Sequence, residues 1–230
     1  MQLLMRGIRS IYQKGLARTT QSVISIAEDA WFDRKFGLET AEIVQVQNLD
    51  IGADDKQHSV QYQPTRVRHF RKLMRALKLP TSHVFVDVGC GKGRILIAAA
   101  QYGFRHVEGI EISPQLTEVA RRNIDIYHRG TGQQANIEVT CSNVLDFNLK
   151  HDENVFYLYW PFDRVVMTQF LEKLRSSFRA CPREIWLIVN DFQFHDLLDG
   201  DQDFDHRDRL IYGGGAVSYT HLTLPTILRV

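Results

Sequence analysis

The sequence predicts an α/β fold: a doubly wound, mostly parallel sheet with helices on both faces and an N-terminal helical cap. Three observations predict it. Val84 to Val88 is a near-continuous run of β-branched and aromatic residues, interrupted by Asp87, as in a strand covered on both faces. Gly89, Gly91 and Gly93 follow at alternating positions and open into the apolar run Ile95 to Ala100, so that strand, hinge and helix succeed one another directly. Beyond this unit, strand-like and helix-like patterns continue to residue 190, which implies parallel strands joined by right-handed crossovers.

In order, residues 1–30 read as helix. The first 27 contain Arg6, Arg9, Lys14 and Arg18 but no acid, and Leu3, Leu4, Ile8, Ile11, Tyr12 and Leu16 fall near helical spacing. A transit peptide or a membrane-surface helix can look like this, but the apolar stripe favours an amphipathic helix lying over the domain. Trp31 to Gly37 reads as a compact aromatic turn, and residues 48–59, with Asp50, Gly52, Asp54 and Asp55, as a polar loop. A basic helix is expected from Pro64 to Leu79, with Val67, Phe70, Leu73, Met74 and Leu77 inward and its arginines and lysines on a solvated face. Then come strand 84–88, helix 93–102, strand 106–111, helix 114–127, strands 136–141 and 154–160, helix 163–180 and strand 184–190. Ser113 and Pro114 supply an N-cap and a first-turn proline. Arg209 to Tyr212 offers one more strand. The division is a cap at 1–61, an α/β domain at 62–213 and a tail at 214–230 that is non-native or disordered.

A chain of 230 residues, 44% hydrophobic and 24% charged, can bury one sizeable core. A net charge of +1 gives no global field for nucleic acid, and no stretch reaches the roughly 18 apolar residues of a membrane span. Cys90, Cys141 and Cys181 lie far apart with no C-x-x-C pair, against a disulfide scaffold or structural zinc; no metal is expected and a reducing cytoplasm fits. Cys90 sits inside the glycine run, where packing explains it better than thiol chemistry.

The glycine spacing is G-x-G-x-G. It is neither the G-x-G-x-x-G of dinucleotide binders nor a P-loop, since Val86 stands where the first P-loop glycine would be and Gly93 follows Lys92. A second short strand, Val107 to Ile112, carries Glu111 at its end, where a carboxylate can accept both hydroxyls of a ribose. Asp87 to Gly93 together with Glu111 resembles motif I and the ribose-binding acid of class I S-adenosylmethionine (SAM) dependent methyltransferases. That resemblance implies a Rossmann-like sheet closed by antiparallel sixth and seventh strands, with SAM as the cofactor. It places Asp87, Gly89, Gly91 and Gly93 around the methionyl part, with the N-terminus of helix 93–102 favouring its carboxylate.

Asn143, in Thr140 to Asp146, occupies the place of the family's adenine-contacting acid; an Asn oxygen can still accept from the adenine amine, and Asp146 is the competitor. Both are also ordinary turn-capping residues. Tyr159-Trp160-Pro161-Phe162 stands where amino-methylating members carry Asn/Asp-Pro-Pro-aromatic. The change argues against a DNA adenine or glutamine amide methyltransferase and leaves Tyr159, Trp160 and Phe162 as either an aromatic wall for an apolar or cationic acceptor or plain core. Asp33 to Thr40 and Tyr62-Gln63-Pro64-Thr65 resemble capped bacterial methyltransferases, and Arg94-Ile95 with Gly103-Phe104 resembles the lysine methyltransferases of the ATP synthase c subunit. Tyr62 and Trp160 are thus the expected catalytic residues. The tail Ser218 to Thr226 is similar to one found on unrelated translated reading frames, as a sequencing junction produces, and truncation of the native C-terminus near residue 213 is expected. The implied activity is methyl transfer from SAM to an acceptor, a protein lysine or other amine ahead of a small molecule. A non-catalytic SAM-binding protein and a NAD-dependent oxidoreductase are the alternatives. The oligomeric state is left open.

Overall fold

The computed structural model describes residues 16–133, 135–159, 162–190, 194–198, 204–212 and 215–222, with backbone alone for 16–22, 195 and 204–222. The first 15 residues, Trp160, Pro161, the 213–214 glycines and residues 223–230 therefore lie outside the described residues. Among the described residues seven strands form one sheet in the order β3-β2-β1-β4-β5-β7-β6. They are β1 (Val84–Val88), β2 (His106–Glu111), β3 (Asn136–Cys141), β4 (Glu153–Tyr159), β5 (Ile185–Asn190), β6 (Phe204–Tyr212) and β7 (Gly215–Leu222). The first five pair in parallel, and β7 joins β5 and β6 in antiparallel fashion. Among the described residues six α-helices accompany them: α1 (Leu16–Phe36), α2 (Ala53–His58), α3 (Val67–Leu77), α4 (Arg94–Tyr102), α5 (Pro114–Thr131) and α6 (Arg164–Ala180).

The central strands divide two cores by simple alternation. Phe85, Val155 and Tyr157 point into one core with Phe70, Leu96, Val107 and Tyr127. Val84, Val86, Val88, Phe156 and Leu158 point into the other with Phe170, Leu171 and Leu174. Both faces are thus covered by helices, which is why β1 reads as an almost unbroken apolar run. Helix α4 begins at Gly93 and ends at Gly103, both left-handed. Helix α5 begins as its sequence predicts: the Ser113 hydroxyl accepts the Leu116 N–H at 3.2 Å, and Pro114 stands in the first turn.

Three expectations are corrected. Trp31 to Phe36 is the last stretch of α1 and not a turn; Phe32 and Phe36, one helical turn apart, pack edge-on, and Phe36 meets Tyr127. The polar loop contains α2, whose first turn carries Asp54 and Asp55 as the helix dipole favours. Residues 215–222, assigned above to a tail, form β7 between β5 and β6. The basic face of α3 is solvated as expected, with Arg68, Lys72, Arg75 and Lys78 exposed, while Arg66 reaches Asp29 at 2.8 Å, Arg68 reaches Glu28 at 2.6 Å and Arg71 reaches Gln101 at 2.8 Å.

Candidate cofactor and methyl-transfer site

A cleft of about 380 Å³ opens at the C-terminal ends of β1, β2 and β4. Asp87, Gly89 and Glu111 line it from the sheet, Asn143 from the turn after β3, Tyr159 and Phe162 from the end of β4, and Tyr62 from the chain before α3. Asp87 is 4% exposed; burial, and then the charge of Glu111, hold its carboxyl well above the usual carboxylate range. The chain leaves β1 by turning at Gly89 (φ 77°), whose N–H donates to the Ile110 carbonyl at 2.8 Å.

Gly91 and Gly93 serve the loop from behind the cleft wall. Gly91 has φ 54°, and a Cβ there would stand 2.1 Å from Cε2 of Tyr62. Gly93 has φ 82°, and its Cβ would meet Ala120 of α5 at 3.2 Å. The Tyr62 ring thus lies directly on the glycine loop, with its hydroxyl donating to the Thr40 carbonyl at 2.9 Å and burial pushing its ionisation far up.

Glu111 is tied to the same loop. One carboxylate oxygen accepts the Gly91 N–H at 2.8 Å and the other the Ser113 N–H at 2.9 Å. Burial raises its pKa and these two N–H groups pull it back. Each oxygen keeps a further lone pair, so the group can still accept hydroxyl donors. Asn143 accepts the Leu145 N–H at 2.9 Å, as a turn cap does, while its amide donates to Asp55 at 3.0 Å. It lines the cleft. Asp146 does not: it is exposed in the same turn, three residues on.

The sequence reading missed two groups of residues. The first is the strap over the cleft formed by α2 and residues 58–61, which leads into the expected Tyr62. Its ends are fixed by Asp55 on Asn143, by His58 Nδ1 at 2.7 Å from Asp163, and by an antiparallel bridge between Val44 and Tyr62. Asp163 also caps α6 through the N–H groups of Val165 and Val166. Desolvation opposes its ionisation, but the His58 hydrogen bond and these N–H groups together keep its pKa below the usual range. The second is Arg94, which lines the cleft while 2% exposed and donates to Thr40 Oγ1 at 2.6 Å and to Asp33 at 3.0 Å. An arginine right after the third glycine, with two acids one helical turn apart upstream, was the available signal. Among the described residues, the group able to hold a cation is His106, Glu108 and Glu138, none of which lines the cleft; Lys150 already stands 2.7 Å from Glu108.

Comparison with known proteins follows this geometry. A family model described as the ANTKMT methyltransferase domain matches residues 87–199, and one described as the histone methylation protein DOT1 matches residues 38–135. A ribosomal protein L11 methyltransferase from Dechloromonas aromatica is 50% identical over 40 residues, 17% of this chain and 14% of that protein. A protein-lysine N-methyltransferase from Saccharolobus islandicus is 33% identical over 67 residues, 29% of this chain and 42% of that protein. The chain therefore spans less than half the length of these relatives. Among solved structures, an RNA methyltransferase from Salinibacter ruber in complex with S-adenosyl-L-homocysteine shares the fold with TM-score 0.53 and 22% identity over 73% of this chain and 99% of that one.

Proposed function

Because the chain carries a class I SAM-dependent methyltransferase domain, we propose that the protein moves a methyl group from SAM to an amine of another protein, a lysine ε-amine first. The observation that carries this reading is the convergence of Asp87, the Gly89 turn, Glu111 and Asn143 on one cleft at the strand ends. The residues fit the cofactor: the chain turns off β1 at Gly89 (φ 77°) on the cleft wall, and the cleft offers carboxyl groups for an amino group and a ribose. Asp87 would take the amino end, Glu111 the ribose hydroxyls and Asn143 the adenine amine, while the N-terminus of α4 favours a carboxylate. The relatives named for protein and protein-lysine methylation support a protein acceptor.

When bound, SAM supplies an activated methyl whose carbon–sulfur bond breaks as the acceptor nitrogen attacks in line. The protein's part is alignment and exclusion of water, so no nucleophilic side chain is needed. Tyr62 closes the glycine loop and Phe162 and Tyr159 form the apolar wall beyond it; Trp160, the other expected catalytic residue, lies outside the described residues. The catalytic unit runs from residue 62 through β7, with residues 1–61 as its cap. Three free cysteines suit the reducing cytoplasm.

The test is thermal unfolding with S-adenosylhomocysteine or NAD, followed by a labelled-methyl survey of lysate proteins and metabolites. S-adenosylhomocysteine at a hundred times its Kd should add about 2.7 kcal/mol, and NAD nothing. Label should appear on lysine in a protein band. Stabilisation by NAD alone would overturn the cofactor, and label only in small molecules would overturn the acceptor class.

A further inference from the structure

Helix α1 is turned with its polar side inward. Ser25, Asp29, Phe32 and Asp33 are buried, whereas Val23, Ile24, Ile26 and Trp31 remain 59%, 41%, 51% and 54% exposed. At about 100° per residue, Val23, Ile26, Ala27, Ala30 and Trp31 share one side, opposite Phe32, with Ile24 at its margin and the exposed Arg34 on the same side one turn beyond Ala30. Charge fixes this orientation. Glu28 meets Arg68 at 2.6 Å, Asp29 meets Arg66 at 2.8 Å and Asp33 meets Arg94 at 3.0 Å, so α1 cannot roll its apolar side inward without stripping buried charges of their partners.

All three acids of the helix are matched on the protein side. The exposed charges of its described side chains are Arg34 and Lys35, with the Lys35 ammonium 4.8 Å from the Trp31 ring centroid. The sequence leading into this face adds Arg6, Arg9, Lys14 and Arg18, and the first acid of the chain is Glu28. An apolar side that carries Arg34 and Lys35 at its C-terminal end, with a tryptophan beside them, suits a surface that is both apolar and negatively charged.

We propose that the Val23–Ile26–Trp31 side of α1 docks on the surface of an anionic lipid bilayer, laying the helix in the interfacial plane. A second copy of the chain would bring the same cations to the contact and no free acid of α1 to meet them. None of the described helices is long and apolar enough to cross a membrane, so the contact is one of lying on it. The docking is independent of the reaction proposed above, because none of these residues lines the cleft.

Flotation of the full chain with vesicles of phosphatidylcholine, with and without phosphatidylglycerol, tests this. The protein should float with the anionic vesicles, stay behind with the neutral ones, and be released by high salt. Ile26→Asp and Trp31→Ser, both on the exposed side, should each cut the floated fraction by about tenfold while leaving the affinity for S-adenosylhomocysteine unchanged. Failure to float, equal flotation with neutral vesicles, or variants that float like wild type would overturn the proposal. So would a dimer in size-exclusion chromatography that Trp31→Ser dissolves.

Discussion

The contact between Gly91 and Tyr62 makes a loop and a strap interdependent through a single missing methyl. A side chain at residue 91 suffers twice: at φ 54° it occupies a left-handed conformation, and its Cβ lands 2.1 Å from a ring carbon whose hydroxyl is anchored on Thr40. The backbone share is about 1–2 kcal/mol and the overpacking share about 1–3 kcal/mol. Gly91→Ala should therefore lose about 3 kcal/mol in urea unfolding, and only the backbone share in a Tyr62→Ala background. Equal losses in both backgrounds would remove the ring from the account. Glu111→Gln tests the other clasp on this loop. It keeps the size but turns one acceptor oxygen into a donor facing the N–H of Gly91 or Ser113. Affinity for S-adenosylhomocysteine, measured by calorimetry, should fall by about 1.5–3 kcal/mol. Unchanged affinity would take Glu111 out of the cofactor site.

At the scale of elements, the cap is joined to the cofactor loop by a charge. Arg94 opens α4 and reaches back to α1, with Asp33 at 3.0 Å and Asp29 at 3.4 Å. Arg94→Ala leaves two buried acids short of a partner and should cost about 3–5 kcal/mol in denaturant unfolding. Arg94→Met with Asp33→Asn should cost clearly less than the sum of the single changes; strict additivity would mean that the pair does not hold the cap. The sequence marks Arg94 and the two acids but not their pairing, because they stand some sixty positions apart and periodicity reports only neighbours. Local signals served better. Strands 84–88, 106–111 and 136–141 were legible to the residue, the first as an apolar run ending at Gly89 and the others as short segments with β-branched residues that end at polar turns. Helix α5 outran its expected end at residue 127 by four residues, because polar residues carry its last turn to a left-handed Gly132. The six residues of α2 are too few to show any period, so the strap over the cleft was read as loop. Asn143 was assigned to the cleft by its place in the motif that the family resemblance supplies, whereas the ring of Tyr62 over Gly91 depended on a chain path that no spacing reveals.

At the scale of the whole molecule, the central sheet holds a carboxyl that makes folding itself depend on pH. Glu153 opens β4 and is fully buried. Burial pushes its pKa up to about 7; the Lys150 N–H at 2.9 Å holds it down, the Glu108 charge adds to the rise, and the cations of Lys150 and Arg183 oppose it. In the unfolded chain the same group titrates near its ordinary value of 4.5. Below that value both states carry the proton and Glu153 does not affect the balance. Between about pH 4.5 and 7 the unfolded chain releases its proton while the folded one keeps it, so the unfolded state binds fewer protons and stability falls as pH rises. Above the folded pKa the loss is complete, with an upper bound of about 3 kcal/mol. Glu153→Gln keeps an acceptor for the Lys150 N–H and removes the titration. Relative to wild type, the variant should gain stability progressively from about pH 4.5 to 7 and hold a constant advantage above that window, read as the difference between two urea unfolding series. A difference that stays flat across the window would show that Glu153 is ionised in the folded protein throughout, and that the cations at the start of β4 outweigh its burial.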